Sequence, residues 1–225
     1  MKQGAVAILT LAIGVVIYGF AFGLLAAQIG FPWWSVGLMS MAVHAGSSQI
    51  VAVEQFSTSS AVLGAALAGA ALNLRYIGII ASLSELLSSL PLKTKLLAIH
   101  VTGDENWALT MSERAKSKDI GASFLIGSGL TLISVWTAST AGGALVGTAL
   151  PNLEQFGLGF AFTAAFIAMA RGLWKGYPNF IPWSLAFGVT TVVIWLGLPN
   201  AYAILAGAVC GLATSKLLRH RNGQK

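Results

Sequence analysis

The sequence predicts an all-α fold: a polytopic bundle of about seven transmembrane helices, in a single domain over residues 1–225. Three observations support this prediction. Hydrophobic residues make up 56% of the chain and charged residues only 9%, whereas about a quarter of a soluble domain is charged. The mean hydropathy is +0.79. The apolar residues also lie in long runs, and a helix needs about 20 of them to cross a bilayer.

The apolar runs in the first half of the chain define four segments. The run 5–28 is longer than the apolar region of a signal peptide and further runs follow it, so we predict a mature helix. The runs 33–53 and 60–82 each end shortly before a glutamate. The stretch 90–112 is less apolar and contains several charges, which favour a segment that does not cross the bilayer.

The second half of the chain predicts four more spans, at 121–149, 155–171, 180–198 and 201–217. They are separated either by basic segments or by Pro-Asn turns without Lys or Arg. Basic loops are typical of the cytoplasmic side. The C-terminal tail is therefore expected in the cytoplasm.

The number of spans depends on the second segment. If the first three segments all cross, the chain has seven spans and its N-terminus lies outside. If 33–53 is re-entrant, or broken near Ala45–Gln49, there are six spans and Lys2 lies inside. We predict seven spans and keep six as the alternative.

The charge balance does not indicate a nucleic-acid partner. The chain has 13 Lys and Arg against 7 Asp and Glu, but most of the basic residues lie in the short segments that orient membrane helices. The single cysteine, Cys210, excludes an intrachain disulfide, and no Cys/His grouping has the spacing of metal ligands. We expect no metal, no cofactor and no nucleic-acid partner.

Small residues recur four positions apart on several predicted helices. This spacing lets helix backbones approach closely in lipid. The bundle is therefore expected to pack through four such pairs: Gly19/Gly23, Ala65/Gly69, Gly143/Gly147 and Gly207/Gly211.

The second segment concentrates polar residues in an apolar run: Ser40, His44, Ser47, Ser48 and Gln49. On a continuous helix, Ser40, His44 and Ser47 or Ser48 would share one face. Polar groups in hydrocarbon need partners, so this face should line the bundle interior or a wet cavity. A break at Gly46 would also free backbone groups to meet a ligand. Hydrogen bonding between helices alone is the alternative.

The third segment contains Asn73 and Arg75. An arginine inside a span costs about 2.5–3.5 kcal/mol on insertion scales. One interpretation is an inward-facing cation that holds a substrate carboxylate in a bidentate manner. The other is a side chain that reaches back to the cytoplasmic edge.

Asp104 and Glu105 follow Thr102-Gly103. Carboxylates in this position are typical of the first turn of a helix, where the helix dipole favours them. Alternatively, one of these acids pairs with Arg75, binds a substrate ammonium or carries a coupling proton.

Catalysis is not indicated. His44 with Ser47 or Ser48 suggests a serine hydrolase, but the Gly-x-Ser-Gly turn is missing. These residues would also be helix neighbours rather than partners from separate elements. The intramembrane polar clusters instead favour movement of a small solute.

Four motifs, in this order and spacing over roughly residues 15–112, resemble the AzlC-type branched-chain amino acid permeases. The length and the span pattern extend the resemblance over the whole chain. The sequence departs from the pattern at His44, where many members carry an aromatic residue, and this departure bears on the substrate. The motifs are Gly19-x-x-x-Gly23, Ser40 with His44–Gln49, Asn73–Tyr76 and Asp104–Leu109.

The resemblance implies an exporter of branched-chain or similar amino acids, driven by the proton gradient, with a small AzlD-type membrane subunit as partner. In that function Arg75 would take the substrate carboxylate, and Asp104 or Glu105 would assist with the ammonium or the proton. The binding cavity would be lined by Ser40, His44, Ser47, Ser48, Gln49, Asn73 and Arg75. A transporter or channel for another small solute, and a membrane scaffold without transport, are the alternatives.

Overall fold

A computed structural model describes residues 1–149, 167, 171, 174, 176–198 and 200–222. The described residues form helices and no strand, which confirms the all-α prediction. The helices of the first half are α1 Lys2–Ala7, α2 Leu9–Gln28, α3 Trp33–Val43, α4 Gly46–Ser59, α5 Val62–Asn73, α6 Arg75–Ser82, α7 Ser84–Ser88, α8 Leu92–His100, α9 Asp104–Lys116 and α10 Ala122–Ala149. A 3₁₀ turn, Tyr177–Asn179, precedes α11 Phe180–Trp195 and α12 Asn200–Asn222. The predicted span 155–171 lies almost entirely outside the described residues.

Several helices have the length and surface of membrane spans. Within the described residues, Leu9–Gln28, Val62–Ser82 and Ala122–Ala149 are long and apolar enough to cross a bilayer. Shorter apolar helices are Trp33–Val43, Phe180–Trp195 and Tyr202–Leu218. Many large apolar side chains point outward, which in water would be a liability but in lipid is the expected surface.

Helix α10 is the centre of the N-terminal half, and it packs against α1, α2 and α3. A Cβ added to Gly23 would collide with the carbonyl of Thr140, and one added to Gly143 would collide with the carbonyl of Phe20. The two backbones therefore touch, and only hydrogen fits between them. Burial between helices gains no hydrophobic energy in lipid, so close packing has to hold this pair together.

The other predicted small-residue pairs are also contact points. A Cβ on Gly69 of α5 would lie 3.1 Å from the carbonyl oxygen of Ser48. Gly207 of α12 lies against the Thr190 hydroxyl and the Ala186 carbonyl of α11. These contacts confirm the prediction that the small residues are packing positions.

The predicted segment 33–53 is interrupted. Helix α3 ends where His44 takes a left-handed conformation (φ 44°, ψ 45°), and α4 begins at Gly46. A Cβ on Gly46 would lie 2.7 Å from Cη2 of Trp136, so no other residue fits there without displacing the indole. The prediction of one continuous helix, with Ser40, His44 and Ser47 on one face, is therefore wrong. The alternative with a break near Gly46 is the observed one.

The predicted segment 60–82 is one span with an irregular residue: α5 and α6 meet at Leu74, which keeps a right-handed helical conformation (φ −55°, ψ −25°). A further predicted segment is interrupted. The segment 90–112 divides into α8 and α9 between Val101 and Gly103. Each interruption frees backbone N–H and C=O groups that need partners inside the bundle.

The adjacent glycines Gly142 and Gly143 give a matched test of the α2–α10 packing. Gly143→Val should lower the melting temperature of the purified protein in detergent, because overpacking typically costs about 1–3 kcal/mol. Gly142 has no neighbouring atom within 4 Å of its notional Cβ, so Gly142→Val should melt close to the wild type. Equal melting temperatures for the two variants would contradict this account of the packing.

Candidate functional site

The breaks in two segments and the α5–α6 junction at Leu74 lie close together. The Ser48 hydroxyl of α4 donates to Asn73 Oδ1 at the end of α5, at 2.6 Å. Arg75 Nη2, at the start of α6, lies 2.8 Å from Asp104 Oδ2 at the start of α9. The site is therefore built where α4, α5, α6 and α9 begin or end.

The segment between α3 and α4 also contacts the segment between α8 and α9. A Cβ built on Gly103 would lie 3.4 Å from His44 Cε1 and 3.5 Å from Glu105 Oε2. Gly103 thus lies in van der Waals range of both the His44 imidazole and the Glu105 carboxylate. His44 and Glu105 are brought to the same residue although 61 positions separate them in the chain.

A buried hydrogen-bond network joins α3, α4 and α10. The indole Nε1 of Trp136 donates to Gln49 Oε1 at 2.8 Å, and Gln49 Nε2 donates to Ser40 Oγ at 3.1 Å. Thr140 Oγ1 lies 2.8 Å from Ser40 Oγ. Because Gln49 and Ser40 are completely buried, each bond satisfies a group that water cannot reach.

Trp136 also closes the site by packing. Its ring stacks on Phe22 with the ring centroids 6.0 Å apart, and it contacts Tyr18 at 5.6 Å. Since its outer edge lies over Gly46, the indole covers the break between α3 and α4 from the α10 side.

Asp104 and Glu105 occupy the first turn of α9, which confirms their prediction as helix N-terminal acids. The turn is closed by Asn106, whose Oδ1 accepts from the Gly103 amide at 2.6 Å. Asn106 Nδ2 donates to the carbonyls of Val101 and Leu125. The first turn is thus fixed by Asn106, which leaves the Asp104 carboxylate available to Arg75.

The Arg75–Asp104 pair is half-exposed: 37% of the arginine side chain and 45% of the aspartate side chain are accessible. The guanidinium also lies over the Tyr76 ring, 5.5 Å from its centroid. A first-turn position and ion pairing were alternatives for Asp104 in the sequence, and in the structure Asp104 lies in the first turn of α9 and pairs with Arg75.

Some buried polar atoms at the site have no partner within the described residues. They are His44 Nδ1, Ser47 Oγ and Thr137 Oγ1. His44 and Ser47 flank the break itself, and Thr137 lies one residue after Trp136. A buried hydroxyl or imidazole without a partner costs about 1–3 kcal/mol, so these atoms are energetically unfavourable as they stand.

The structure places all the sequence-predicted site residues around the meeting point of the interruptions. Sequence reasoning missed Thr137, Thr140 and Asn106. Thr137 and Thr140 are three positions apart in an apolar run, and the argument applied to Ser40–Gln49 would have found them. Asn106 was seen only as part of a motif, because its backbone partners depend on the tertiary fold.

An intramembrane polar site formed where helices are interrupted, inside an apolar helical bundle, places the protein in the class of helical membrane proteins with a transporter-type role. The AzlC protein family model matches residues 10–150. The chain belongs to the AzlC family.

The relatives of the chain are membrane proteins. It is similar to the inner membrane protein YgaZ of Escherichia coli K12, with 29% identity over 92% of this chain and 86% of YgaZ. A membrane protein of Helicobacter pylori J99 is 25% identical over 76% of this chain and 74% of its own length. One from Archaeoglobus fulgidus is 26% identical over 93% and 91%. No solved structure matches the chain.

The Gln49 network can be tested by removing its central amide. Gln49→Leu keeps a similar volume but leaves the Trp136 N–H unsatisfied, which should lower the free energy of unfolding by about 1–3 kcal/mol. Thr191→Val removes an exposed hydroxyl that only bonds its own helix at Phe187 and should change the stability little. Denaturant unfolding in mixed micelles would measure both, and a Gln49→Leu variant as stable as Thr191→Val would refute the assigned role.

Proposed function

We propose that the protein exports branched-chain or similar small amino acids across the cell inner membrane, driven by the proton gradient and together with a small AzlD-type membrane subunit. The observation that carries this proposal is that the break between α3 and α4, the break between α8 and α9 and the α5–α6 junction meet inside the bundle. Transporters bind substrates where discontinuous helices expose backbone groups away from lipid. Membership of the AzlC family supports the same proposal.

The charges at the site suit a zwitterion. An amino acid carries one carboxylate and one ammonium, and Arg75 and Asp104 supply one charge of each sign, 2.8 Å apart. A zwitterion that enters between them replaces the single Arg75–Asp104 ion pair by two ion pairs, one at each charged group of the substrate. The carboxylate would face Arg75, and the ammonium would face Asp104 or Glu105.

The same acids are suited to carry the coupling proton. Asp104 and Glu105 are adjacent at the start of α9, and Asp104 is held by Arg75. Protonation of Asp104 would remove the negative charge that a substrate ammonium needs. Proton binding and substrate binding would then compete for the Asp104 carboxylate, which is the minimum that proton exchange for substrate requires.

Orientation and localisation follow from charge and from similarity. The tail after the last apolar run contains Lys216, Arg219, Arg221 and Lys225, which favours a cytoplasmic C-terminus in a multi-pass protein. YgaZ, the relative from Escherichia coli, is named an inner membrane protein, and we propose the same membrane for this chain.

Export can be measured as efflux of radiolabelled L-valine from loaded right-side-out vesicles, or as its uptake into inside-out vesicles. Both are measured with and without the small subunit. Arg75→Ala should abolish flux while the protein still inserts and elutes as a single species. Lys93→Ala, in the α8 segment, removes a cation from outside the ion pair and should leave flux intact. Flux that survives in Arg75→Ala would make Arg75 a membrane-edge anchor. No flux in any wild-type preparation would favour a scaffold.

The substitution Asp104→Asn tests the role of Asp104 in proton coupling, and a second ion pair of the same kind provides the control. The substitution should abolish proton-driven export, because the amide neither titrates nor holds Arg75 as an ion pair. The matched control is Glu85→Gln, since Glu85 pairs with Arg114 at 3.2 Å but is 85% exposed. Uptake and efflux under an imposed pH gradient give the measurement. If Asp104→Asn retains the rate of Glu85→Gln, Asp104 has no part in coupling.

A further inference from the structure

A cavity of about 190 Å³ lies between α4 and the pair of helices α11 and α12. A single water needs only about 10–15 Å³, and sites for drug-sized ligands have roughly 300–1,000 Å³. The cavity therefore has the size for a small organic solute. The described residues that line it are Val51, Glu54 and Gln55 of α4, Ile194 of α11 and Ile204 of α12.

The ends of α11 and α12 place this cavity toward the outer side of the membrane. Helix α12 has 23 residues, so it is about 34 Å long and can cross the hydrocarbon core. With the C-terminal tail in the cytoplasm, as proposed above, the start of α12 lies at the outer side. Ile204 is in the second turn of α12, and Ile194 is one residue before the end of α11.

One face of α4 joins the polar site to the cavity. Ser48, Val51 and Gln55 follow one another at three- and four-residue spacing, so they share a helix face. The Ser48 hydroxyl donates to Asn73, and Glu54 lies six residues, about 9 Å, further along the helix. A solute that leaves the polar site along this face reaches the cavity within two turns of α4.

Glu54 gives the cavity a negative charge. Its carboxylate forms no ion pair within the described part of the chain, where the three ion pairs involve Asp104, Glu85 and Glu113 instead. The other described walls are aliphatic, apart from Gln55. A carboxylate beside aliphatic walls attracts an ammonium that carries an apolar group, and it repels an anion. Ionisable side chains on membrane helices typically face cavities and mark solute pathways.

We propose that this cavity is a second binding site for the exported amino acid, on its way to the outer side. The ammonium faces Glu54, and the aliphatic side chain packs against Val51, Ile194 and Ile204. Because no cation is among the described lining residues, the carboxylate stays toward the water outside. This inference rests on the proposed function and adds to it a site that is separate from the Arg75–Asp104 pair.

The test is the protection of a cysteine in the cavity from a membrane-impermeant thiol reagent. Cys210, the single cysteine of the chain, is replaced by alanine, and Ile194→Cys is labelled from outside in right-side-out vesicles. The full chain is used, with and without the small subunit. Leu196→Cys is the matched control, because Leu196 is two residues away, 62% exposed and outside the cavity lining.

L-Valine should slow the labelling of Ile194→Cys and leave that of Leu196→Cys unchanged. Isobutylamine, which lacks the carboxylate, should protect in the same way, whereas 3-methylbutanoate, which lacks the ammonium, should not. In a Glu54→Gln background, the L-valine concentration for half-maximal protection should rise about tenfold or more, the size expected when a bond between charged groups is lost. Glu54→Asp should keep part of the protection. Leu196→Cys should react at its usual rate in the Glu54→Gln chain, which shows that this chain is folded.

Three results would overturn the second site and leave export standing. The first is export of L-valine without any protection of Ile194→Cys. The second is protection of the Glu54→Gln chain at the wild-type concentration. The third is labelling that is blocked without L-valine by the small subunit or by phosphatidylethanolamine, and that returns without the subunit in vesicles of phosphatidylcholine and phosphatidylglycerol. The cavity would then hold the subunit or a lipid headgroup. The absence of both export and protection would overturn the proposed function as well.

Discussion

The structure depends on how backbone polar groups are satisfied where helices are interrupted away from water. In lipid, an uninterrupted helix meets this requirement by itself, and each break leaves donors and acceptors that the rest of the bundle has to cover. Here the breaks at His44–Ala45 and Val101–Gly103 lie against each other, and the α5–α6 junction at Leu74 lies beside them. Side chains such as Asn106, which bonds one amide and two carbonyls, can therefore serve the breaks from inside the bundle.

Close helix packing makes this arrangement possible. Trp136 and Thr140 reach Gln49 and Ser40 with bonds of 2.8 Å only because α10 lies directly against its neighbours. That approach requires glycine at Gly23 and Gly143, where any side chain would push the backbones apart. A shift of about 1 Å would take these bonds beyond hydrogen-bond distance. The packing glycines and the polar network are thus one physical system.

Much of the fold was predictable from the sequence, because long apolar runs and small-residue spacing are local signals. The positions of the helix breaks were harder to predict from the sequence. A left-handed His44 is not favoured by local preference and is explained by the Trp136 ring over Gly46, a contact between residues 90 positions apart. The Trp136–Gln49 bond likewise joins residues far apart in the chain, 87 positions, so local sequence does not predict it. Arg75 and Asp104, by contrast, were paired from sequence as one alternative, since a charge in a span needs a counter-charge.

The two polar centres of the site differ in exposure, and that difference bears on which of them can exchange partners. The Ser40–Gln49–Trp136–Thr140 network is buried, so breaking it strands groups that water cannot reach. The Arg75–Asp104 pair is half-exposed, so water can replace either partner while the other changes its contacts. The neutral network therefore holds α3, α4 and α10 in one arrangement. The ion pair is the less buried contact, between α6 and α9, and the Ser48–Asn73 bond joins the end of α5 to the start of α4.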